Sequence, residues 1–137
     1  MTILQARRYQ PRDADLTAVA ASGVASAWTT YTPTVTAGSG TFTTVSGAGR
    51  YMTIGKTTFI SVSVTITTNG SAAGYVHVTL PNTPQGNIQL TGRESAAGKA
   101  LQTRAGGGST FDILNYDGTY PGASGGILVV GGVYENT

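Results

Sequence analysis

Residues 57–68, TTFISVSVTITT, alternate without a break: Ile60, Val62, Val64 and Ile66 fall on one side of an extended chain and Ser61, Ser63, Thr65 and Thr67 on the other. A helix would scatter those apolar side chains round its circumference, so the segment is a strand with one face in a core. The preceding residues, GRYMTIGK at 49–56, end in Gly55-Lys56, which suits a two-residue hairpin loop. With that loop, Ile54 faces Thr57, Met52 faces Phe59 and Tyr51 faces Ile60. Tyr51 then joins the core face, while Met52, Ile54 and Phe59 gather on the opposite face, where an apolar cluster calls for a cover. That cover is either the N-terminal segment or a crossing loop, or it is another subunit.

The same period of two runs from Trp28 to the end. Further strands read as 75–80, 87–94, 99–105, 110–116 and 126–134, with shorter ones around Val35 and Phe42. Asn69-Gly70, Pro81-Asn82, Gly106 to Gly108, Asp117-Gly118 and Pro121-Gly122 supply the turns between them. About eight or nine strands with such spacing predict a mostly β fold, an antiparallel β-sandwich or jelly roll. In the last strand, Ile127, Leu128, Val129 and Val130 are apolar on both faces, so the strand is expected to be buried on both sides, as a central core strand or with one side in an oligomer interface. Residues 13–22 carry the one helix signal: Asp13 as N-cap, Asp15 in the first turn, Leu16, Val19 and Ala20 on one side, and Gly23 as the stop. The organisation expected is an N-terminal segment, 1–27, ahead of a β head domain, 28–137.

Composition narrows the chemistry. Charged residues make up 10% of the 137, and the eight Lys and Arg are nearly matched by six Asp and Glu, with no basic run to follow a phosphate backbone. Nucleic acid is therefore not an expected partner, and the longest apolar run, 127–130, is too short to insert into a membrane. The absence of cysteine removes thiolate metal sites and cysteine nucleophiles. Neither a cofactor nor a metal is expected, because the single histidine, His77, has no cysteine or nearby carboxylate in sequence to complete a zinc site. GSG at 38–40, GAG at 47–49 and GGG at 106–108 open no helix, so they read as turns rather than phosphate loops. Asp112, Asp117 and Glu135 are the carboxylates a glycosidase pair would need, but Asp117 belongs to a turn and Asp112 to a polar strand face. The chain thus reads as a non-enzyme. Aromatic residues are the remaining handle: rings with a polar tip stack on sugars or pack at interfaces, and Tyr75, Tyr116 and Tyr120, with His77 and Asp117 beside them, are the candidate glycan contacts.

RDADLTAVAA (12–21), WTTYTPTVTAGSGTF (28–42), GRYMTIGKTTFISVSVTITTNG (49–70), LTGRESAAGKAL (90–101) and NYDGTYPG (115–122) together resemble bacteriophage tail-fibre and spike proteins over nearly the whole chain. The resemblance implies a homotrimeric β-structured knob on a virion, made in the bacterial host cytoplasm and acting in host-surface attachment. It implies an N-terminal segment, with Arg7, Arg8, Tyr9, Arg12, Leu16 and Val19, that docks to other virion proteins of tail or capsid. Met52, Ile54, Phe59, Leu128 and Val130 are the expected trimer interface, and a bacterial surface polysaccharide the expected ligand. With hardly any shaft before the head, a capsid head fibre or decoration protein is the alternative, and a polysaccharide depolymerase the enzymatic one.

Overall fold

A computed structural model describes residues 27–137, together with Ala18, which is helical and exposed. The rest of the helix expected at 13–22, and Arg7, Arg8, Tyr9, Arg12, Leu16 and Val19, lie outside the described residues.

The fold is mostly β. Nine strands, β1 (Thr29–Tyr31), β2 (Val35–Ser39), β3 (Thr44–Ile54), β4 (Thr57–Thr68), β5 (Ala73–Thr79), β6 (Thr91–Glu94), β7 (Ala100–Ala105), β8 (Thr110–Asn115) and β9 (Gly126–Glu135), pair in the order β1-β3-β4-β9-β6-β7-β8-β5-β2. Every pairing is antiparallel. The two edge strands, β1 and β2, are consecutive in sequence and joined only through Thr32, Pro33 and Thr34. So short a link forces the sheet to curl until its edges meet. There, the Tyr31 hydroxyl donates to Thr79 O (3.3 Å), Thr34 N–H donates to Thr79 Oγ1 (2.8 Å), and Thr79 N–H donates to Thr34 O (3.1 Å). The two edges are brought together without a ladder between them, β1 pairing only with β3 and β2 only with β5.

The β3–β4 hairpin has the expected register, with Ile54 opposite Thr57, Met52 opposite Phe59 and Tyr51 opposite Ile60. Gly55 takes φ 58° at the first loop position, while Lys56 keeps a negative φ, the pattern of a type II′ turn. Alternation then sends Ile60, Val62, Val64 and Ile66 inward to meet Val76, Val78, Leu101, Phe111, Ile113, Leu128 and Val130 in one core. At roughly 1.5–3 kcal/mol for each large apolar side chain buried, this cluster dominates the stabilisation of the fold.

Three strand expectations differ from the structure. Phe42 lies in the connection between β2 and β3, where it packs against the core without strand pairing. Only the last four residues of the 87–94 segment form β6. Ile88 and Leu90 are buried nonetheless, because Thr103 on β7 ties the irregular segment down: its Oγ1 accepts from Leu90 N–H (2.6 Å) and donates to Leu90 O (3.0 Å). A side chain replaces the missing ladder. Finally, β9 is not a central core strand: within the chain Leu128 and Val130 are inside, whereas Ile127 and Val129 are 38% and 42% exposed, which leaves the other expected reading, an outer side open to a subunit contact, untouched. Pairing on both flanks, with β4 and β6, satisfies the backbone of β9 without covering its outer face.

Candidate functional site

Because the inner face is filled by the core, any contact with a partner falls to loops and to the outer face of the sheet, which has two regions of opposite character. The first spans β5, β8 and β7. Register places His77, Asp112 and Arg104 in one row across these strands, and Leu114 and Gln102 in the next. The sequence separates His77 from Asp112 by 35 positions, yet the sheet makes them direct partners. His77 Nδ1 lies 2.6 Å from Asp112 Oδ1, and Arg104 Nε donates to Asp112 Oδ2 at 3.0 Å.

Asp112 is the centre of this arrangement. Its side chain is 6% exposed, against 29% for His77 and 56% for Arg104. A buried carboxylate is costly unless its oxygens are paired, and here each oxygen has a cationic or polar donor. The carboxylate accepts, so Nδ1 of His77 carries the hydrogen, and Nε2 of a neutral ring is left as an acceptor. The arrangement is held from behind by close packing. A Cβ on Gly106 would come within 2.8 Å of His77 Cε1 and 3.0 Å of Asp112 Oδ1, so only glycine leaves the row room. Arg104 stacks its guanidinium 4.9 Å from the centre of the Tyr75 ring, and the backbone of Gly38 supports that ring from a neighbouring strand.

The expected contact residues divide into those on this face and those off it. Tyr75 and His77 are here, and Tyr116 follows at the end of β8, 71% exposed, with its N–H bonded to Ala100 O at 3.0 Å. Tyr75 supports Arg104, so its ring serves the site from beneath. Asp117 is exposed in the turn beyond and binds Thr119 twice, through the backbone N–H (3.0 Å) and the hydroxyl (2.6 Å), which holds its carboxyl below the usual range. Tyr120 is half-buried and donates to Asn69 Oδ1 (2.7 Å), joining two loops. Burial pushes its hydroxyl pKa up. Asp112 and Arg104 complete the row but were not singled out as contacts. The signal that would have found them is strand pairing, which a single sequence does not carry.

The second region lies on the outer face of β1, β3, β4 and β9. Met52 and Phe59 are direct partners, Phe59 faces Val133, and Trp28 precedes β1 one position beyond the Thr29–Tyr51 pair. Trp28 and Val133 are 46% and 48% exposed, and Ile127 and Val129 continue the apolar surface along β9. Ile54 and the two partners Met52 and Phe59 are half-buried. Leu128 and Val130, expected in a subunit interface, are instead in the chain's own core, at 0% and 1% exposure; strand alternation leaves Ile127, Val129 and Val133 on the outer face. The rim carries both signs of charge: Arg50 of β3 over Trp28, Arg93 of β6 opposite Val129, and Glu135 at the end of β9.

The carboxylates considered for glycoside cleavage do not share a place: Asp112 is on β8, Asp117 in the turn after it, and Glu135 at the end of β9, with β6 and β7 between β9 and β8. No cluster of His, Cys, Asp and Glu able to hold a metal occurs among the described residues. Compared with known proteins, the chain matches no family model, no curated protein and no solved structure.

Proposed function

We propose that the protein is a bacteriophage virion structural protein: a trimeric jelly-roll knob that attaches to the host surface, assembling through one outer face and touching a surface glycan with the other. The observation that carries this reading is the division of one curled sheet into an apolar outer face, Trp28, Met52, Phe59, Val129 and Val133, and a hydrogen-bonding one, His77, Asp112 and Arg104. The apolar face is occupied by further copies of the same chain. Its rim supports that choice, since Arg50 and Arg93 with Glu135 present both signs and so complement a copy of themselves. The segment before Trp28 anchors the knob to the particle, in keeping with the fibre-like sequence blocks.

Sedimentation at micromolar concentration tests the assembly, with about three times 13.9 kDa expected and a persistent 13.9 kDa species overturning it. Imaging of labelled protein on intact particles tests the role. Label at the tail tip is the expected result; label over the capsid reassigns the protein to decoration of the head.

A further inference from the structure

We propose that His77 and Arg104, fixed from opposite sides by Asp112, bind a pair of neighbouring hydroxyl groups on a neutral oligosaccharide whose chain runs along β8 to Tyr116. This deepens the attachment reading and rests on it only in taking the ligand to be a glycan. The argument starts from the buried carboxylate. Asp112 uses one oxygen on His77 Nδ1 (2.6 Å) and the other on Arg104 Nε (3.0 Å). Both outward-facing groups are thereby oriented and left with bonding capacity: His77 Nε2, an acceptor in the neutral Nδ1–H ring, and the Arg104 Nη groups, which are donors. An acceptor beside a donor fork matches adjacent sugar hydroxyls, each of which donates and accepts.

An anion fits the same row poorly. The Arg104 charge is already answered by Asp112, and with the imidazole neutral a second carboxylate would set its lone pairs against the lone pair of Nε2. Tyr116 sets the length of the ligand. Between Asp112 and Tyr116 the chain advances four residues, roughly 13 Å at the rise of a strand, so one sugar on the polar row and another stacked on the exposed ring belong to an oligomer. Leu114 and Gln102 lie between, with Gln102 Nε2 donating to Asn115 O (3.0 Å) and Tyr116 O (3.1 Å), which steadies the far end.

The test is an NMR titration of the whole protein, with the neutral hexamers of glucose in both linkages and of mannose as probes, and oligogalacturonate as the acidic one. Before any sugar is added, the imidazole nitrogens are expected to report hydrogen on Nδ1; hydrogen on Nε2 overturns the proposal. At least one neutral hexamer is expected to move the His77 Nε2 and Tyr116 ring signals together, with the free monosaccharide at least tenfold weaker. Asp112→Asn, which keeps the shape but frees the tautomer, and His77→Ala are each expected to weaken binding tenfold or more while the sedimentation coefficient is unchanged. Failure of every neutral hexamer, preference for the acidic one, or full affinity in Asp112→Asn overturns the inference. None of these results touches the assembly or particle location, so the broader reading fails or survives separately.

Discussion

The two outer faces of this sheet are built by the same backbone rule and end in opposite chemistry. On β4 and β9, alternation sends Phe59, Val129 and Val133 outward, where Phe59 is half-buried and Val129 and Val133 are left exposed. On β5 and β8, alternation sends out His77 and Asp112, and there the most polar group is the most buried one. The apolar face is adhesive but indifferent to the detail of its partner, since burial rewards area. The polar face offers little area and a fixed pattern of donors and acceptors, which is what discriminates between ligands. On the function proposed, assembly and recognition fall to separate faces round one core.

The strongest way to break the comparison is to change adjacent residues of β9. Leu128→Ala removes a side chain from the core and is expected to lower stability by about 2–5 kcal/mol in urea denaturation. Ile127→Thr with Val129→Thr changes only the outer face and is expected to cost the chain itself under about 1 kcal/mol while weakening self-association. Equal losses in stability at one protein concentration would mean the outer face is as buried as the inner.

Next in size is a charge placed in the apolar row. Phe59→Asp lies between Met52 and Val133, where association would strand the carboxylate without a donor. Self-association is expected to weaken at least 100-fold, about 2.7 kcal/mol, by sedimentation. Asp112→Asn on the other face is the control and leaves the sedimentation profile alone; if it also dissociates the assembly, the faces are not independent.

Asp112→Ala reads the polar face by stability instead. It deprives His77 and Arg104 of their shared acceptor, but both retain access to water, at 29% and 56% side-chain exposure. The loss is therefore expected near 2 kcal/mol rather than the larger figure for a fully buried pair. A change under about 0.5 kcal/mol would show that the carboxylate is no keystone.

These regions differed in how far the sequence disclosed them. The hairpin was legible because turn chemistry and alternation act over a few residues: Gly55-Lys56 fixes the register, and Met52 and Phe59 follow as partners. The sides of β9 were legible only in part, since four consecutive apolar residues show no alternation, and which pair faces the core depends on pairing with β4 and β6. Asp112 and its partners were not legible as a group. His77 and Arg104 come from different strands, and their meeting depends on β8 inserting between β5 and β7. The apolar alternation of 87–94 predicts a strand throughout, and the real support of its first half, the Thr103 hydroxyl, has no local signature.

The smallest expected effect concerns β6, the strand between the two faces. Glu94 is 4% exposed, and its carboxylate accepts from the N–H groups of Ala96 (2.9 Å) and Ala97 in the loop that follows. Burial alone would raise its pKa, but backbone N–H groups of Ala97, Ala96, Ile127 and Gly98 favour the charged form and hold the carboxyl below the usual glutamate range. A depressed folded pKa means that the stabilisation is present above the unfolded value, about 4.3, and is lost as pH falls through the folded one. Glu94→Gln keeps one acceptor oxygen but turns an amide against N–H donors, and is expected to cost about 1 kcal/mol near neutrality. The gap between the two proteins should narrow below about pH 4 in urea titrations, as protonation makes the native side chain resemble its replacement. A gap that stays constant from pH 7 to pH 3 would show that Glu94 acts by shape alone, and that the seam between the faces does not depend on charge.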